Sequence, residues 1–204
     1  MFNVVTIARE YGSGGADIGR KVAELLEWDC VDKQIIERVA AMGKVNAAWA
    51  ASADEHVIAW WARILKSFRK GGPELYVGDA SELCVDHDTL QHFTAHVIQE
   101  SANVGGCVLI GRSSGCLLRH NPRVFRVFVY APFSEKIKRM KLRHPDEKDL
   151  PALLSRMDSE RIHYAQTYYG CDPSYRGIYH LCVNSTLGID ECARMIVQSV
   201  KSFS

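Results

Sequence analysis

Two rhythms of apolar and polar positions alternate along the chain. Short apolar or β-branched runs at residues 4–7, 28–31, 107–110, 124–130 and 180–183 predict five buried strands. Between them apolar residues return every three or four places, as in Ile18, Val22, Leu25 and Leu26, then Ile35, Ile36, Val39 and Ala40, then Leu90, Phe93, Val97 and Ile98. These predict helices, joined by a short one at Leu117–Leu118, a basic one over 135–143, one opening at Pro151 and a last one over 189–200. Strands that alternate with helices imply a parallel sheet covered on both faces. The 204 residues suffice for one α/β domain with a small insertion. No internal repeat or low-complexity segment stands out. Over 47–68 a further amphipathic helix carries Trp49, Trp60 and Trp61. It reads first as packing against the rest of the domain. A contact in a homodimer, or a substrate flap, is the sharper alternative.

The first strand and helix enclose a glycine turn, in the order VVTIAREYGSGGADIGRKVAELL over 4–26. Glycines let a backbone turn tightly and bring its N–H groups to anionic oxygens, and the following helix adds its positive end. This is the backbone half of a phosphate cradle. The lysine half is missing, because a Walker A sequence needs G-x-x-x-x-G-K-[ST]. With Gly12–Gly14 on its second half, Gly15 falls at the lysine, Asp17 near the magnesium-binding hydroxyl and Arg9 at the first glycine. The dinucleotide fingerprint fails as well, since Asp17 takes its last glycine position. An ordinary tight turn remains the alternative at this point.

Net charge is +1, which makes no electrostatic case for nucleic acid or a membrane as partner. Apolar runs are too short to span a bilayer, and the N-terminus leads straight into a strand, so no signal peptide is expected. The seven cysteines include no C-x-x-C pair, which argues against a zinc site or a disulfide framework and for a reducing cytoplasm.

Open parallel sheets bind ligands at the carboxyl ends of their strands. Those ends carry Arg9 and the glycine turn, Asp32, and Gly111-Arg112, followed by helices bearing Lys136, Lys138, Arg139, Lys141, Arg143, Arg156, Asp158 and Arg161. Guanidinium forks grip phosphate oxygens, and phosphoryl transfer rests mostly on positioning and charge stabilisation. Lys136, Lys138 and Lys141 read as a solvated helix face, and Asp158 with Arg161 as a pair one turn apart. Arg112, directly after a buried strand and a glycine, is harder to dismiss. His163 gives no catalytic set.

Together IAREYGSGGADIGRKVAE, VDKQII, CVLIGRSSGCLLR, RVFVYAPFSEKIKRM, RMDSERIHYAQTYYG and YHLCVNSTLGID resemble the cytidylate kinase-like family, a branch of the P-loop nucleoside monophosphate kinases. The resemblance is weakest over 46–86. It implies a three-layer P-loop NTPase fold: a single domain over 1–204, a five-stranded parallel sheet, a helical acceptor-binding insertion over about 33–103 and a lid over about 144–161. It implies transfer of the γ-phosphoryl of ATP, with Mg2+, to CMP or a similar acceptor. By position, Gly12, Ser13, Gly14, Gly15, Ala16 and Asp17 would hold the ATP phosphates, with Asp17 on the metal. Asp32, Arg38 and Arg112 would hold the acceptor, and Arg139, Arg156, Asp158 and Arg161 would serve catalysis. True cytidylate kinases carry the Walker lysine. Its loss here leaves Arg9, Arg20 or Lys21 to compensate, or else a nucleotide sensor without turnover.

Overall fold

A computed structural model of the protein describes residues 1–32 and 87–203, with the backbone alone at 87–90 and 93. The helices expected at 33–41 and 47–68, with Arg38 and the three tryptophans, lie outside the described residues. In order, the elements are β1 (Val4–Arg9), α1 (Gly15–Leu26), β2 (Asp29–Val31), α2 (His87–Val104), β3 (Cys107–Ile110), α3 (Ser114–Leu117), β4 (Val124–Tyr130), α4 (Phe133–Arg143), α5 (Leu150–Tyr169), β5 (Leu181–Asn184) and α6 (Ile189–Ser202). The chain divides into two compact units, Met1–Asp32 with Gly105–Ser204, and Lys33–Val104. Of the second unit, α2 is the described part.

In the first unit all five expected strands form one sheet in the order β2-β3-β1-β4-β5, and every pairing is parallel. The central strand β1 sets Val5 beside Val108 and Phe125, and Ile7 beside Ile110 and Val127. Val5 and Ile7 are fully buried, each contributing about 1.5–3 kcal/mol by leaving water. Helices α1 and α6 cover that face: Ile18, Val22, Ala193, Ile196 and Val200 join Val5, Ile7, Val108 and Val127 in one core. On the other face lies α3, where a Cβ on Gly115 would stand 3.3 Å from Thr6 Oγ1. A separate cluster of Met140, Leu150 and Leu154 packs α4 against α5. Asp149 caps α5 by accepting from the Ala152 N–H at 3.0 Å, with Pro151 in the first turn. Among the described residues no helix is long and apolar enough to cross a membrane.

One expectation is overturned. The cysteines were expected to stay free, but Cys116 and Cys171 are joined in a disulfide, their Cα atoms 5.8 Å apart. The α3 turn and the end of α5 bring them together, which spacing along the chain does not reveal. Among the described residues, Cys30, Cys107, Cys182 and Cys192 form no disulfide.

Candidate functional site

The turn between β1 and α1 is shaped by Gly12 (φ 78°) and Gly14 (φ 77°), a region side-chain-bearing residues rarely adopt. Ser13 is fully buried, and its hydroxyl donates to the Glu10 carbonyl at 2.8 Å. The Tyr11 N–H donates to Asp158 Oδ1 at 2.6 Å, and the Ser13 N–H to the Glu10 carbonyl at 3.3 Å. The N–H groups of Gly12, Gly14 and Ala16 find no acceptor among the described residues. They gather at the head of α1, where helix geometry leaves donors unsatisfied and the dipole is positive.

Side chains from distant elements pin this turn. Arg139 on α4 donates to the Ser13 carbonyl at 2.7 Å and to the Ser185 hydroxyl and carbonyl at 2.8 and 3.1 Å. Arg161 on α5 donates to the Arg9 carbonyl at 3.1 Å and lies 3.3 Å from Asp158 Oδ1, over the Tyr11 ring. Burial pushes the Asp158 carboxyl above its ordinary value, opposed by the Tyr11 N–H, Arg161 and Lys136. Lys136 corrects the reading of a solvated face. It is buried, its Nζ 3.2 Å from Glu10 Oε2 and 3.6 Å from Asp158 Oδ2. Its spacing of four from the buried Met140 was the available signal.

On the other side of the turn stands Arg9. A Cβ on Gly15 would come within 2.7 Å of Arg9 Cβ and 3.2 Å of Val129 Cβ, so the lysine position has no room for a side chain. The Arg9 guanidinium lies against the Cα of Gly111, where an added Cβ would overlap it. Its pKa is lowered to about 10, first by burial and then by Arg161, with Arg20 and Arg112 acting the same way and Asp32 opposing. Gly111, Arg112 and Ser113 are successively left-handed, at φ 78°, 51° and 52°. For Arg112 and Ser113 that backbone costs of order 1 kcal/mol each, the kind of strain found at ligand sites.

Two further expected residues pair with neighbouring charges. Asp17, expected on the metal, has Oδ1 2.9 Å from Arg20 and Oδ2 2.7 Å from Arg143, so both oxygens are engaged. Among the described residues no group of three His, Cys, Asp or Glu side chains is arranged to hold a metal ion. Magnesium in phosphoryl-transfer sites is held by one or two carboxylates together with waters and substrate phosphates, and the Asp17 carboxylate is here taken up by the two arginines. Arg156 on α5 is 67% exposed and faces Glu160 at 3.9 Å, away from the turn. Asp32 lies with Oδ2 3.3 Å from Arg20.

The sequence profile of the cytidylate kinase-like family matches residues 4–187. The chain belongs to that family. This cytidylate kinase-like protein has no match among curated proteins. Its fold is similar to that of an uncharacterised protein from Eubacterium ventriosum ATCC 27560, at TM-score 0.69 and 20% identity, over 99% of both chains. It is also similar to shikimate kinase from Acinetobacter baumannii in complex with shikimate, at TM-score 0.54 and 16% identity over 100% of this chain and 96% of that one. A gluconokinase from Sinorhizobium meliloti 1021 gives TM-score 0.52 and 16% identity over 98% and 93%. The cytidylate kinase-like chain thus has the three-layer fold of P-loop kinases, with a glycine turn in place of the lysine-bearing loop.

Proposed function

We propose that the chain is a cytoplasmic phosphotransferase that moves the γ-phosphoryl of ATP to CMP or a similar small phosphate acceptor. One observation carries this reading: the unclaimed N–H groups of Gly12, Gly14 and Ala16 open beside a strand end crowded with guanidinium groups. A polyphosphate satisfies both at once. Arg139, Arg161 and Asp158 hold the turn in shape, and Asp32 and Arg112 lie on the acceptor side. The segment over about 144–161 acts as a lid that excludes water and so suppresses ATP hydrolysis. No step is routed through magnesium. A coupled assay of ADP formation against a panel of nucleoside monophosphates tests the reading. ADP formation with one acceptor supports it, and none with any acceptor counts against it.

The second reading is a nucleotide sensor that binds without turnover, favoured by Gly15 at the lysine position. Calorimetry that finds tight ATP binding beside absent transfer selects it.

A further inference from the structure

Among the described residues, Lys136, Arg139, Arg161, Arg20, Arg143 and Arg9 stand around the glycine turn, and most are already engaged. Lys136 is flanked by Glu10 and Asp158. Arg139 is bound to Ser13 and Ser185, and Arg161 to the Arg9 carbonyl and Asp158. Arg20 and Arg143 share Asp17. The Arg9 guanidinium differs, because no hydrogen-bond or ion-pair partner for it lies among the described residues. It is mostly buried and stands among like charges. A cation so placed is destabilised until an anion arrives.

We infer that Arg9 is the phosphate-contacting cation of this site, reaching across Gly15 to fill the role that a Walker lysine plays from within the loop. This rests on the kinase reading above. The geometry explains two glycines together: Gly15 leaves space for the Arg9 stem, and Gly111 leaves space for its guanidinium. The side chain therefore runs from the turn at the head of α1 to the Gly111-Arg112 turn, from the donor side to the acceptor side. In the transfer an acceptor oxygen forms a bond to the γ-phosphorus while the bond to the bridging oxygen breaks. The electron pair of that bond stays on ADP. Arg9 exchanges no proton, and its charge and fork stabilise the equatorial oxygens.

Calorimetry with ATP and with inorganic tripolyphosphate, on wild type, Arg9→Gln and Arg9→Lys, tests the assignment. Thermal unfolding without ligand is measured beside it. Arg9→Gln is expected to lower affinity for both ligands at least tenfold while its unliganded melting temperature stays level or rises, since like-charge repulsion is relieved. Arg9→Lys recovers part of the affinity. A merely structural arginine gives the opposite pattern, a lower melting temperature with affinity unchanged, and that result overturns the assignment. Arg194→Ala, which removes an exposed pair with Glu191, serves as the control expected to match wild type. Wild type that binds neither ligand overturns this assignment and the kinase reading together. Wild type that binds and transfers phosphate beside an equally competent Arg9→Gln overturns this assignment alone.

Discussion

Arg9 and Glu10 are neighbours in sequence, yet they leave the end of β1 into opposite electrostatic surroundings. Glu10 turns toward α4 and meets Lys136, with Asp158 beside it and Arg176 3.9 Å from its other oxygen, so two cations face two carboxylates on that side. Arg9 turns toward α1 into the field of Arg161, Arg20 and Arg112, which Asp32 opposes among the described residues. Alternation of successive side chains along a strand makes this separation possible. The balanced side contributes to stability of the unliganded protein. The unbalanced side lowers that stability and reserves its attraction for an anion.

The largest test of that contrast is Lys136→Met. It leaves Glu10 and Asp158 without their shared cation and is expected to destabilise by about 2–4 kcal/mol, read by urea unfolding. No loss of stability would erase the distinction between the two sides. Next is Arg139→Ala, which orphans the Ser13 carbonyl and the Ser185 contacts. A loss of about 1–3 kcal/mol is expected, with ATP affinity reduced more than tenfold in calorimetry. Gly15→Lys rewrites the turn toward a Walker sequence. Its Cβ meets Arg9 at 2.7 Å, so it is expected to cost about 1–3 kcal/mol and to lower both ATP affinity and transfer. Affinity and activity kept at the wild-type level in that variant would show that the turn has room that Arg9 does not need. The smallest effect belongs to Arg156→Ala, which is expected to leave both ATP affinity and melting temperature unchanged.

The sheet was legible because its strands are nearly pure apolar runs with turns between them, and the three central ones, β3, β1 and β4, are mostly buried. β1 and β4 in particular have no competing helical pattern. The glycine turn was legible because Gly12 and Gly14 supply conformations that few other residues reach. The charged helices were less so. Asp17 shows locally only the pairing with Arg20 one turn on, and its second partner Arg143 lies 126 positions away. Lys136 sits among other lysines, and only its spacing from Met140 marks the buried face. On α5, Arg156 and Arg161 are five residues apart, about 140° around the helix, so both cannot face the same turn. Asp158 and Arg161, three apart, can. Arg9 was named only as one of several substitutes for the lysine. What singles it out is the space at Gly15 and Gly111, which belongs to three dimensions.

The bond between Cys116 and Cys171 has a consequence for assembly. Lys136, Arg139, Arg143, Asp158 and Arg161 all fall between the two sulfurs, within one closed covalent ring whose ends are 55 positions apart. In a chain-entropy account, closing such a ring removes disorder from the unfolded ensemble worth about 4 kcal/mol. Every side chain that grips the turn from α4 and α5 is therefore kept on a tether even when the chain opens. Where reductant cuts the tether, the same residues must be gathered from a freer chain, and the redox state of the surroundings becomes a variable of how readily this site forms.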